Sequence, residues 1–411
     1  MVRPERRTAA DVTVAAVIAI LVAVAGTLVW WNSDARATRS HPADGPVGNP
    51  PFARTVPAAL TQLWSAASRG TAEPVVVSGT VVTGDGREVH GRDPATGEAR
   101  WSYARGVDLC AVSWIYHYAV AVFSDRRGCG QVSAIDAATG QRGPARTSYA
   151  DRRVVVSSDG SAVLSAGPTR LELWRSDLVR VLSYGEIDAR VKPSARGVGE
   201  GCTLVSAAGD ASAVSVLEAC PGQQDLRLTL LHPAKEEDEP EARYVPQPGV
   251  SADSGARVLA VVDSGSGANT AVYLPAPQPR VEIVDETGAT VAKTVLSGVP
   301  SPASAELAVS RPAGLISWWT GDAVLMFDAA SLTYRYTVRT AGSAVPLGPA
   351  ALMADKLLIA VTGGVGVYHQ ATGALERTIP VSRPPGVTTV FPRVAGSTVV
   401  EQRGDTVVAL G

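Results

Sequence analysis

A turn sequence returns along this chain at a near-constant interval, and that recurrence leaves few folds open. Arg92-Asp93-Pro94-Ala95-Thr96-Gly97-Glu98 comes first, Ile135-Asp136-Ala137-Ala138-Thr139-Gly140-Gln141 next, and His369-Gln370-Ala371-Thr372-Gly373-Ala374-Leu375 near the end. Weaker equivalents fall at Ser176-Asp177, across an acidic stretch from His232 to Glu241, at Thr287-Gly288 and at Ala330-Ser331. The mean step between successive turns is about 46 residues, the length of one supersecondary unit in a strand-built ring. Around the first copy, residues 74–78, 80–83, 88–92 and 99–103 read as short strands, with Gly84-Asp85-Gly86 and Thr96-Gly97 at turns. Gly97 supplies the positive φ that such a hairpin needs.

Seven turns imply seven blades, and the two ends of the domain imply an eighth. Residues 388–394, 397–402 and 406–410 read as three strands, while Leu60-Thr61-Gln62-Leu63-Trp64-Ser65-Ala66 repeats the pattern around Trp101. Pairing segment 60–66 with the last strand closes the ring and removes its open edges. The expected fold is therefore all-β: an eight-bladed β-propeller of four-stranded antiparallel blades over residues 57–411. A seven-bladed ring is the alternative, because residues 186–300 are poorly periodic.

Ahead of the ring, residues 12–31 form an apolar run without a charge, long enough for a helix to cross a bilayer. Arg3, Arg6 and Arg7 precede it, which by the positive-inside bias puts residues 1–11 in the cytoplasm and the ring outside. Trp30 and Trp31 suit the outer interface. Ala35-Arg36-Ala37 has the form of a signal-peptidase site, so cleavage after Ala37 is the alternative to an uncleaved anchor, although the apolar run exceeds a signal core in length. Residues 32–56, rich in Pro, Gly and Ala, read as a flexible tether. Four cysteines group by spacing as Cys110 with Cys129 and Cys202 with Cys220, each pair inside one blade. An oxidising compartment favours two disulfides, and the lack of CxxC spacing argues against zinc.

The repeat around Asp93 and Asp136, with Trp101 following, resembles that of the quinoprotein-like (PQQ-like) propeller superfamily. The likeness extends to its small eight-bladed members, such as the non-catalytic lipoprotein of the outer-membrane β-barrel assembly machinery. The resemblance implies that Trp64, Trp101 and Trp174 dock neighbouring blades against each other. Quinone-using members carry adjacent cysteines, a calcium held by Glu and Asn, and a catalytic Asp. No two cysteines are adjacent here and none of those ligands can be placed, so no cofactor, metal or catalytic residue is expected. The lipoprotein is held by an N-terminal lipidated cysteine, and this chain has none before Cys110.

The sequence contains no phosphate-binding G-x-x-x-x-G-K-[ST], no H-E-x-x-H and no G-x-S-x-G. With 37 basic and 39 acidic side chains there is no overall field to hold nucleic acid. Candidate partner contacts are the aromatics Trp114, Tyr116 and Tyr118 of the second blade, Trp318 and Trp319 of the sixth, and the acidic run Glu236, Glu237 and Asp238. Burial between blades is the alternative for the aromatics, and a solvated loop for the acids. The reading that follows is a membrane-anchored extracytoplasmic propeller, not an enzyme, serving as a scaffold for an envelope or membrane protein of unknown identity. The rival is an enzyme or a receptor for a small ligand or glycan in the central funnel.

Overall fold

Runs such as Ala119-Val120-Ala121-Val122-Phe123 carry no polar alternation, and each of these five residues is fully shielded from water. Such a strand must be covered on both faces, which a sheet packed between two other sheets provides. In a computed structural model, which describes residues 8–46, 48–187, 197–296, 308–339, 342 and 344–411, the chain forms eight antiparallel sheets arranged as an eight-bladed β-propeller. Apolar clusters lie between adjacent sheets. One joins Val82, Trp101 and Tyr103 of blade 1 to Val112, Phe123 and Ile135 of blade 2. Outermost strands such as Thr290–Val295 and Gln62–Ala67 alternate in exposure.

Blade 1 shows the plan: Val75–Val77, Thr80–Asp85, Glu88–Arg92 and Ala99–Ala104 run from the channel outward. The ring consequently has two faces. Turns joining first to second and third to fourth strands lie on one, here termed the turn face. Turns joining second to third strands, and the blade-to-blade loops, lie on the other, the loop face. All seven recurring turns connect third and fourth strands. In the motif copies, Asp93 Oδ1 accepts from Ala95 N and Thr96 N, and Asp136 Oδ1 from Ala138 N and Thr139 N. Gly97 and Gly140 then take φ of +75° and +72°. This local hydrogen bonding makes Asp and Gly recur together.

Blade 8 is assembled from both ends of the ring. Gln62–Ala67 pairs antiparallel with Thr406–Leu410, placing Trp64 opposite Ala409 and Ser65 opposite Val408. Thr398–Arg403 and Phe391–Ala395 complete the sheet. The last and first residues of this seam exchange backbone bonds, Gly411 N to Thr61 O at 3.0 Å and the reverse at 2.9 Å.

An apolar helix, Ala9–Trp31, precedes the ring and is long enough to cross a bilayer. Thr8 and Asp11 close a reciprocal capping box at its start. Arg3, Arg6 and Arg7 lie outside the described residues.

The expectation of a free tether over residues 32–56 needs correction. Arg39–His41 adds a fifth strand to the outer edge of blade 1, Arg39 opposite Ala104 and His41 opposite Ser102. Ala43 N then donates to Thr139 O in a turn of blade 2. Pro50 lies against the first turns of blades 1 and 8, where a side chain on Gly79 or on Gly396 would meet it at 2.8 Å. Val56 O and Pro57 O accept from Arg377 of blade 7. These contacts use open backbone edges and proline rings rather than a periodic apolar pattern, so they leave no signature in the sequence.

Candidate interaction surface

Side chains of fourth strands interlock with the glycines of the next blade's outer turn. A Cβ at Gly97 would lie 2.5 Å from Trp64 Cγ, one at Gly373 2.5 Å from Tyr336 Cδ2, and one at Gly288 2.9 Å from Val245 Cγ2. Trp101 rests in the same way on Gly140, its Nε1 donating to Ala137 O at 2.8 Å. Trp64 Nε1 donates to Pro94 O, also at 2.8 Å. Trp174 differs in position. It lies on the third strand of blade 3, donates to Glu172 and is covered by the guanidinium of Arg146 from blade 2. Tyr336 and Val245 take the tryptophan's place in other blades, a substitution that motif matching overlooks.

Both cysteine pairs are bridged within one blade, Cys110 to Cys129 in blade 2 and Cys202 to Cys220 in blade 4. Glu218 approaches the second bridge. Sulfurs committed to a disulfide are poor metal ligands; Glu218 Oε1 accepts from Arg227 and Tyr184, while its buried Oε2 has no hydrogen-bond partner among the described residues.

Trp318 and Trp319 are corrections. They are only 1% and 4% exposed, and as neighbours on a strand they point to opposite faces of blade 6. Trp318 packs on Tyr273 of blade 5, and Trp319 Nε1 donates to Pro346 O of blade 7. Their sheet is covered on both sides, so neither is available to a partner. The acidic loop is divided. Glu236 and Asp238 face solvent, while Glu237 forms an ion pair with Arg180 of blade 3 at 2.9 Å and its carbonyl accepts from Ser183 N. The Arg180 hydrogen bond holds the Glu237 carboxyl below its ordinary range.

Of the second-blade aromatics, Trp114 and Tyr116 lie at the inner hairpin on the turn face, beside the central channel, whereas the Tyr118 ring lies over Gly143 of the outermost strand. Tyr116 is 57% exposed at the tip of the first turn, held at φ +50° with its N–H bonded to Gly160 O. Trp114 is half-buried in the channel wall and Tyr118 stacks beside His117. A cavity of about 460 Å³ opens here, lined by Phe52, Val76, Trp114, Arg311, Met353 and Arg393 among others. Phe52, from the docked tether, is 95% exposed. A single aromatic in a proline-rich segment gave no sequence signal. Arg393 is paired with Glu73 at 2.8 Å. Arg311 donates to Val261 O, and burial lowers its pKa against the opposing fields of Asp159 and Asp210. The cavity lining among the described residues contributes no carboxylate. What the mouth offers is apolar and aromatic surface.

No protein-family profile and no curated protein sequence matches this chain. Solved structures do match its fold. The C-terminal WD40 domain of Sif2 is 11% identical over 87% of this chain and 99% of that one, with a TM-score of 0.51. Sqt1 of Saccharomyces cerevisiae is 10% identical over 87% and 98%, with a TM-score of 0.52. BamB from Moraxella catarrhalis is 16% identical over 86% and 97%, with a TM-score of 0.46. At these identities the likeness establishes the propeller and nothing of its use.

Proposed function

We propose that this chain is a single-span membrane protein whose extracytoplasmic propeller is a non-catalytic scaffold for other envelope proteins. The observation that carries the reading is the pair of exposed aromatics, Phe52 and Tyr116, at the channel mouth on the turn face. Aromatic side chains left in water at a concave rim contribute disproportionately when a partner covers them. The apolar helix confines the ring to the bilayer, raising its local concentration near membrane partners without new contacts.

The test is affinity capture from detergent extracts with the full-length chain and with a Phe52→Ser/Tyr116→Ser variant. The native chain is expected to retain at least one envelope protein that the variant loses, with unchanged thermal unfolding. Failure to recover a reproducible partner contradicts the scaffold. A receptor for a small ligand draws on one observation, the Arg311 guanidinium beside a largely apolar cavity. A small anion that raised the unfolding temperature with the logarithm of its concentration would favour that reading instead.

A further inference from the structure

We infer that the Cys202–Cys220 bridge is a thiol–disulfide exchange site, opened by a dithiol while the ring stays folded, and that the Cys110–Cys129 bridge is structural.

The first observation is access. Cys202 leads into the first strand of blade 4, Thr203–Gly209, and Cys220 follows the second, Val214–Ala219, so the bridge clips two inner strands at their loop-face ends. The two sulfurs are unequally placed. Cys202 is 9% exposed, whereas Cys220 is half-buried and opens the turn at 221–225, every residue of which faces solvent. A thiolate arriving over that turn meets Cys220 Sγ first, and access of this kind governs which sulfur is attacked.

The second is the group beside the sulfur that must leave. Arg227 opens the third strand opposite Glu218, and its Nη2 lies 3.6 Å from Cys202 Sγ. This guanidinium is not spare charge. Its Nε and Nη2 each lie 3.0 Å from Glu218 Oε1, and Glu200 and Asp225 are further acids on the turns that carry the sulfurs. What it provides is a directed N–H on one sulfur, held in place by the Tyr244 ring 4.2 Å from its Cζ. Such a donor stabilises the charge that Cys202 takes as the S–S bond breaks. Cys129 Sγ instead lies 3.1 Å from Arg152 O, a carbonyl that opposes such charge.

The third is an empty acceptor. Glu218 is fully buried; Arg227, Thr229 and Tyr184 of blade 3 all donate to Oε1, and Oε2 has no partner among the described residues. A buried acceptor left unfilled is a cost that the bridged form carries. A Glu218 carboxylate oxygen lies within 4.8 Å of both sulfurs, and reduction turns each sulfur into an S–H donor. The dithiol form therefore fills what the disulfide form leaves open.

The exchange balances with the dithiol as reductant. One of its thiolates bonds to Cys220 Sγ, and the Cys202–Cys220 bond breaks with its electron pair leaving on Cys202 Sγ beside Arg227. The second thiolate of the reductant then bonds to the first sulfur and expels Cys220. The reductant ends as a disulfide, two electrons poorer, and its two protons end on Cys202 and Cys220.

The full-length chain in detergent, treated with dithiothreitol, quenched in acid and alkylated, tests this by peptide mass spectrometry of the four cysteines, with circular dichroism recording the fold. Cys202 and Cys220 are expected to be labelled at least about tenfold faster than Cys110 and Cys129, the order that a cation beside the leaving sulfur supplies. Arg227→Gln should remove about that factor and Arg227→Lys restore part of it, with the Cys110–Cys129 rate unchanged in both. A mixed disulfide trapped by acid after a glutathione pulse should lie on Cys220. Equal labelling of the two bridges, or labelling of Cys202 and Cys220 only in urea that unfolds the ring, overturns the exchange site. An unchanged rate in a folded Arg227→Gln chain, or a mixed disulfide on Cys202, shows an exposed bridge only and overturns it as well. The comparison of the two bridges within the native chain stands alone if Arg227→Gln does not fold.

Discussion

Gly91→Ala should change sign with its background, because one indole decides its effect. Gly91 faces Trp101 across the third and fourth strands of blade 1, and a methyl group there would overlap the indole ring. Trp101 cannot yield. It is 2% exposed, pinned by its bond to Ala137 O, and braced against Gly140 of blade 2. Forcing a methyl into such a packed site costs about 1–3 kcal/mol. Trp101→Ala alone should cost about 3–5 kcal/mol through the cavity and the lost transfer energy. In that variant the ring is gone, so Gly91→Ala meets open space and gains about 0.4–1 kcal/mol by restricting the unfolded chain. The two substitutions should therefore couple by about 1.4–4 kcal/mol. Urea unfolding of the four chains, followed by far-ultraviolet circular dichroism, measures this. An equal penalty for Gly91→Ala in both backgrounds would refute the interlock.

Other expectations concern the ring's buried charges and bridges. Glu401 is fully buried between Arg383 at 2.6 Å and Arg403 at 2.7 Å; Glu401→Ala strands two cations and should destabilise by about 3–5 kcal/mol in urea titrations. Burial alone would raise the Glu172 carboxyl, but Arg146 and Arg170 outweigh it and hold the group below its ordinary 4.5. Its contribution is present above that pH and lost as pH falls through the lower folded value, so melting temperatures should drop below about pH 4.5, and less steeply in Glu172→Gln. Each bridge closes a loop of under 20 residues, so Cys202→Ser/Cys220→Ser should cost about 3 kcal/mol without unfolding the ring, and native protein should bind thiol reagents only after reduction.

The repeat was legible because each Asp-Gly turn is made by local hydrogen bonds, which sequence spacing records directly. Trp64 revealed the closing strand for a similar reason: it copies Trp101, and the structure sets it opposite Ala409. Pairwise cysteine spacing likewise matched the observed bridges. What remained hidden was relational. Adjacent tryptophans on one strand give no sign that both faces of blade 6 are covered, and burial of Trp318 and Trp319 follows only from the neighbouring sheets. The strand Arg39–His41 is too short to show periodicity, and its partner edge is over 60 residues away. Phe52 acquires meaning only because Pro50 and Val56 lay the chain across the channel mouth.

In-cell photocrosslinking tests the scaffold most directly, with a photoreactive residue placed at Phe52, at Tyr116, or at Arg126 on the loop face. Discrete adducts with an envelope protein from positions 52 and 116, and no protein adduct from 126, are predicted. Adducts from none of the three, or the same adducts from all, would contradict a partner gripped at the mouth of the ring.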